Sequence, residues 1–437
     1  MSKPCGQSCL ALIAGLLVAS MCYAADSPTA GEKSFDITSF GAVGDGRTMA
    51  TAAIQKAIDT AAAETGRVVV PKGRFLSGPL KLRTDSHLHL EDGAVLAMSD
   101  QAADFPATNG NRPAFLSATE ARNVRLTGNG TIDGQGAPWW AAFRKESAAQ
   151  GPKGPRRPQL VVFDRCEGIL IEGLHTLNPP NTHYSIRSSR DVVIRNIKAN
   201  APEDSPNTDA LNLSGVRDVT ISGCEISTGD DNIVLLCGAP KPGQEPLVQD
   251  VTIRDCKLGS GHGLSIGSYT SGGIRHVRVE HVEFAGTTSG LRMKSARGRG
   301  GVVEDITYRD IRMQGVRYPV YVTSYYPKAP ARPSEDEASP STRAIPIWRD
   351  IRIENLEATG CRNSIILWGL PDHPVEGFVF RNVRMGAESG AMVFHAKAIE
   401  FQDTTLTPAA GPPLVVHDAE VKGLTGQPLG ANKPKIK

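Results

Sequence analysis

The sequence has almost no net charge: 48 Lys and Arg stand against 46 Asp and Glu, formally +2. It therefore has no global field of either sign, which argues against a nucleic-acid or membrane-surface role and leaves any charged ligand to a local patch. Past the N-terminus there is no long apolar run, so no membrane association is expected of the mature chain. No CxxC pair and no Cys/His metal pattern occurs, and with them go the usual zinc and redox arrangements. Aromatics make up only 5% of an otherwise ordinary soluble composition, 40% hydrophobic and 22% charged. What is plentiful is Gly, 45, and Pro, 30, the residues of turns.

The N-terminus reads as an export signal. Lys3 precedes the apolar stretch LALIAGLLVAS, Leu10 to Ser20, and Cys22, Tyr23 and Ala24 form a small-residue cleavage site before Ala25. Residues 1–24 are expected to be removed, 25–33 to form a linker, and the mature protein to be secreted or periplasmic. Cys5, Cys9 and Cys22 leave with the signal. Cys166, Cys224, Cys237, Cys256 and Cys361 remain and read as small buried residues, with at most one disulfide.

One short pattern recurs: a polar or small residue, three residues rich in Val and Ile, two polar or small ones, then an apolar one. It starts at Asn123, Gly168, Asp191, Asp218, Asp250, His276, Asp305, Asp350 and Gly377, at successive steps of 45, 23, 27, 32, 26, 29, 45 and 27 residues. Alternation in V-x-I argues for strands. A strand recurring at this step, with connectors full of Gly, Asn, Ser and Pro, buries its apolar face only by stacking on its neighbours. The fold class expected is all-β, a single-stranded right-handed parallel β-helix over residues 34–425, with a flexible tail at 426–437. The segment TAAIQKAIDTAAAETG from Thr51 has helical spacing and would cap the open first coil, with Gly66 ending it. The Pro- and Ser-rich interruption between Arg317 and Pro346 is long enough to line a cleft.

With one coil as the ruler, polar residues fall into register. Asp230 and Asp231 lie 21 and 22 residues beyond Asp209, and His262 lies 31 beyond Asp231. Arg292 and Lys294 follow 30 and 32 beyond His262. Three carboxylates thus converge, and like charges a few Å apart raise at least one pKa, placing a proton donor beside a base. Glycoside hydrolysis needs that division of labour. A basic pair at the other end of the column suits a sugar that carries its own carboxylate. Adjacent strand residues face opposite ways, so Asp230 and Asp231 share a cleft only if the backbone bends, and Gly229 is expected to permit it.

These residues resemble glycoside hydrolase family 28, the polygalacturonase family. The resemblance covers nearly all of the mature chain, from FDITSFGAVGDG onward, and its four motifs follow in order: Asn207-Thr208-Asp209, Gly229-Asp230-Asp231, Gly261-His262-Gly263 and Arg292-Met293-Lys294. It implies hydrolysis of α-1,4-galacturonosidic bonds of pectin by an inverting mechanism, with no cofactor and no metal. Asp230 would be the general acid, Asp209 and Asp231 would activate water, and His262 would hold the acid's protonation. Arg292 and Lys294 would bind the substrate carboxylate, with Asn207 orienting the site. A site tyrosine would be Tyr325 or Tyr326. His183 and the Trp139-Trp140 pair are further possible sugar contacts, although a structural role suits them better. Ala210 and Met293 depart from the family pattern. The expected partner is a pectic polysaccharide, met by a monomer. The rival readings are a calcium-dependent uronate lyase on the same fold and a non-catalytic carbohydrate-binding β-helix.

Overall fold

The computed structural model describes residues 32–150, 156–239, 247–335 and 344–429. The expected signal segment, most of the linker, part of the Pro- and Ser-rich interruption and residues 430–437 lie outside the described residues.

All nine repeat starts adopt left-handed backbone, with φ from 50° at Asp305 to 72° at Gly168. Asn, Asp and Gly tolerate this region best, which is why a polar or small residue begins almost every repeat. The residue drops out of the strand ladder: Glu167 pairs with Arg190 and Ile169 with Val192, skipping Gly168 and Asp191 between them. After this kink each strand presents an apolar residue inward. Val124, Ile169, Val192, Val219, Val251, Val277, Ile306, Ile351 and Phe378 stand one above another on consecutive coils, none more than 1% exposed.

A typical coil has three short strands, as in Tyr184–Arg187, Arg190–Arg195 and Lys198–Asn200. Each pairs in parallel with its counterpart in the next coil, Leu211–Ser214, Arg217–Ser222 and Glu225–Ser227. The fold is the right-handed parallel β-helix the repeat predicts. Cys224 and Cys256 occupy one slot of the repeat, as expected, with their thiols in contact, and all five described cysteines are free and buried.

Helix α1, Thr51–Ala63, closes the first coil with Ile54, Ala57, Ile58 and Ala61 on its buried face. The left-handed residue after it is Thr65 rather than Gly66. Gly66 is required for a different reason: a Cβ there would lie 2.6 Å from the Phe35 ring and 2.8 Å from the Lys33 carbonyl.

A second helix, α2, Ala137–Gln150, fills the first 45-residue step, where no helical connector was expected. Its run of Ala, Arg, Lys, Glu and Gln has the intrinsic propensity to form it. In the second 45-residue step, Ala329 packs on a small apolar cluster of Ile366, Trp368, Met392 and Phe394 outside the barrel. Gln427–Pro428, expected within a flexible tail, pair instead with Val415 and Val416.

Candidate active site

Leu211, Ile233, Leu264 and Leu291 stack on four consecutive coils and point into the core. Asp209, Asp231 and His262 each stand two residues before their strand's member of that stack, so they share one slot on successive coils. Asp230 and Asp231 lie in an irregular segment that ends at Asn232, before the strand Ile233–Leu236 begins. Outside a regular strand the two neighbours need not face opposite ways. Gly229 does not supply this bend through a left-handed backbone. It is needed because a Cβ there would lie 2.1 Å from the Ser205 carbonyl oxygen. His262 is presented between Gly261 and Gly263, at φ 128° and 73°, and a Cβ on either would strike the backbone of a neighbouring coil.

Hydrogen bonds lock these coils together. Ala210 N–H donates to the Asp231 carbonyl at 3.0 Å, and His262 N–H to the Asp230 carbonyl at 2.9 Å. Asn212 Nδ2 donates to Asp209 Oδ2 at 2.8 Å. His262 Nδ1 lies 3.0 Å from Asp230 Oδ1 and 3.8 Å from Asp231 Oδ1.

The three carboxyls differ sharply in environment. Burial, then the charges of Asp230 and Asp231, push the Asp209 carboxyl up to about 8. Burial also works to raise Asp230, but the contact and charge of His262, with the Lys294 charge and the Asp231 N–H, outweigh it and hold Asp230 below the usual carboxylate range. Repulsion among neighbours therefore does raise one carboxyl, as the sequence led us to expect, but in the free cleft that carboxyl is Asp209 and not Asp230. Asp231 is only 4% exposed and fully partnered: Lys294 Nζ donates to Oδ2 at 2.8 Å, Arg292 Nη1 to Oδ1 at 3.1 Å, and Ser265 Oγ to Oδ1 at 2.6 Å.

Arg292 and Lys294 flank Met293, which is fully buried as its slot requires. The basic pair is thus tied to Asp231 rather than left free. Lys294 is as buried as its partner, while Arg292 reaches nearer the surface. The tyrosine beside this pair is Tyr326, with Lys294 Nζ 5.2 Å and Arg292 Cζ 5.8 Å from its ring centre. Tyr325 turns the other way, onto Trp368 at 5.8 Å, with its buried hydroxyl unpaired.

His183 is a correction. It is fully buried, with Nδ1 2.9 Å from Thr176 Oγ1, and burial pulls its imidazole down to about 3, so it is a neutral core residue without access to a sugar. Trp139 and Trp140 are likewise buried, with Trp140 Nε1 donating to the Pro179 carbonyl at 3.0 Å.

Asn207 sits at the cleft edge, its Nδ2 3.4 Å from Asp230 Oδ2. Its other side-chain atom, Oδ1, accepts from Arg157 Nη2 at 2.7 Å. Arg157 and Ser265 were missed from the sequence. Ser265 could have been found, since it stands on the coil before Arg292 in the same slot. Ligand atoms of Asp230, Asp231 and His262 lie within 4.8 Å of one another and could in principle hold a metal ion. Two cations of the protein already press on Asp231, so a divalent ion there would meet their repulsion.

A family model, glycosyl hydrolases family 28, matches residues 61–406. A probable polygalacturonase of Vitis vinifera is 31% identical over 372 residues, covering 80% of this chain and 74% of that one. An endo-polygalacturonase of Pectobacterium carotovorum subsp. carotovorum is 29% identical over 410 residues, covering 88% and 96%. Among solved structures, the family 28 exopolygalacturonase of Yersinia enterocolitica superposes with a TM-score of 0.79 at 22% identity, over 91% of this chain and 79% of that one, a likeness of fold. Sequence match, coil-by-coil placement of the four motifs and the β-helix agree: the chain belongs to glycosyl hydrolase family 28, the polygalacturonase family.

Proposed function

We propose that this hydrolase cleaves the α-1,4-galacturonosidic bonds of pectic polygalacturonan by single displacement with inversion, acting as a monomer outside the cytoplasm. The observation that carries the reading is geometric: Asp209, Asp231 and His262 share one slot on successive coils with His262 Nδ1 3.0 Å from Asp230 Oδ1, an arrangement in which burial and neighbouring charge push the Asp209 carboxyl up while His262 holds Asp230 down. A proton shared by coupled groups belongs to the pair, and what binds beside them decides where it rests. A glycosidic oxygen accepting from Asp230 draws the proton there, and Asp209, now ionised, takes a proton from the attacking water. Asp231 remains a fixed charge that helps position that water. His262 holds Asp230 in place, and Asn207 steadies its second oxygen. Arg292 uses one N–H on Asp231 and has others to offer the uronate carboxylate, with Tyr326 beside it and Lys294 adding charge from beneath.

The test is hydrolysis of polygalacturonate followed by NMR of the nascent anomer. New reducing ends of inverted configuration that persist in chelator are expected. An unsaturated, ultraviolet-absorbing product dependent on calcium would overturn the reading in favour of a lyase. Asp230→Asn should lower kcat by about 10²–10⁴-fold while substrate still binds, and a variant keeping more than a tenth of the rate would remove Asp230 from the acid's role.

A further inference from the structure

Past Tyr326 the chain leaves the sheet as a strap, residues 327–335, which ends in a turn of 3-10 helix, Pro333–Glu335. Ala329 packs on the apolar cluster of Ile366, Trp368, Met392 and Phe394, and Pro333 is buried. Pro327, Pro330 and Pro333 carry no N–H, and none of residues 327–335 joins a strand ladder. A side chain holds the end of the strap instead. His395 lies in the strand Phe378–Gln402, and Asp418 stands beside it on the next coil, between the pairs Phe394 with His417 and Ala396 with Ala419. Both residues are left-handed corners, at φ 47° and 46°.

His395 is 4% exposed, with Nδ1 2.9 Å from Asp418 Oδ2 and Nε2 3.1 Å from the Pro333 carbonyl oxygen. A carboxylate and a peptide carbonyl accept hydrogen bonds and donate none. A neutral imidazole has one N–H and one lone pair, so in either tautomer one of these two contacts sets lone pair against lone pair. Only the imidazolium donates to both. The other titratable groups on the elements packed around the ring leave these two contacts direct. His417 meets the ring edge-on at 5.4 Å, and Asp372, in the turn after Trp368, is held by Arg297. Arg332 and the exposed Glu335 belong to the strap, and the exposed Lys397 pairs in the ladder with Glu376.

We propose that His395 is a proton-operated latch that pins the strap over the last coils of the β-helix. With the imidazole charged, its two N–H groups tie Asp418 on one side to the Pro333 carbonyl on the other, and the apolar cluster beneath is sealed. An imidazole changes charge between about pH 5 and 8. When His395 loses its second proton, one of the two contacts turns repulsive and the strap lifts. The latched form binds one proton more than the released form, so latching is favoured in acid and lost as pH rises. The device tightens the covered end in acid and opens Ile366, Trp368, Met392 and Phe394 to water at higher pH, without touching the reacting groups.

The test is amide hydrogen exchange of the strap, read by mass spectrometry between about pH 5 and 8 and corrected for the intrinsic pH dependence of exchange. In the wild-type protein, protection of the strap should fall about tenfold or more across that range. Asp418→Asn changes a side chain that is 68% exposed. Its amide can donate to Nδ1 while Nε2–H donates to Pro333, so the neutral ring is satisfied on both sides. Protection in this variant should stay high and level, and the pH profile of hydrolysis should match wild type. His395→Phe, which fills the site without an N–H, should leave the strap poorly protected at every pH. Wild-type protection that does not change with pH overturns the latch. So does a slope that survives in Asp418→Asn, where His417 is intact and would be its source.

Discussion

The outward face of one sheet serves two ends. In its middle, Ser265 and Arg292 stand in line on neighbouring coils and hold Asp231. Two coils beyond Arg292 the same slot is Ile366, then Met392, both buried with Trp368 and Phe394. The backbone is nearly the same at both places. What differs is cover: Ala329 and the aromatic rings of Tyr318, Tyr321 and Tyr325 lie over the last coils, while beside Ser265 and Arg292 the side chains of Asp230 and His262 remain 23% and 34% exposed. A solenoid slot is therefore neither core nor site by position, and the lid over it decides which residues it can carry.

The comparison can be broken most severely in the middle. Lys294→Met leaves Asp231 as a buried charge short of its nearest cation, and a stability loss of about 3–5 kcal/mol is expected. Chemical denaturation measures it, and a loss under 1 kcal/mol would mean that Asp231 does not depend on the pair. At the covered end Trp368→Ala should cost a comparable amount, about 3 kcal/mol, by opening a cavity. It should leave the pH profile of catalysis in place, whereas a shifted profile would show that the two ends are coupled.

A subtler contrast is the pH dependence. Burial and the neighbouring carboxylates push the folded Asp209 carboxyl up to about 8, while the unfolded chain releases the proton near the ordinary 3.8. Between those values the native state binds more protons, so this group's contribution to stability falls as pH rises through the window. Asp209→Asn should remove that slope, so that its melting temperature gains on wild type between pH 4 and 8. The opposite trend would place the raised carboxyl elsewhere. Wild-type activity should also decline as pH rises through about 8, when the shared proton is lost. The smallest effect is expected from Tyr325→Phe, which deletes a buried, unpaired hydroxyl and should be neutral or stabilising by up to about 1 kcal/mol. A large loss of activity would mean that Tyr325, not Tyr326, serves the cleft.

Much of this was legible because the repeat writes its own register. A polar or small residue followed by V-x-I marks each repeat strand, and using one coil as the ruler placed Asp209, the pair Asp230 and Asp231, and His262 on successive coils. Register says where a residue stands, not what it holds. Nothing in LRMKSARGRG tells that Arg292 and Lys294 close on Asp231, since that depends on a contact across two coils. Helix α2 was obscured because it occupies an insertion that the repeat does not govern. Tyr325 and Tyr326 could not be told apart for a related reason: just past their strand, alternation no longer decides which of two neighbours faces the cleft.

Each coil from Asp209 to Tyr326 contributes groups with their own role: even Asp209 and Asp231, which share a slot, differ in partners, one bonded to Asn212 and the other to Lys294 and Arg292. A β-helix core would accept the gain or loss of a whole coil with every strand still paired. Here such an event would shear acid from base or cation from anion by one rung. Between residues 209 and 326 the chemistry therefore fixes the number of coils, although the scaffold alone would permit change.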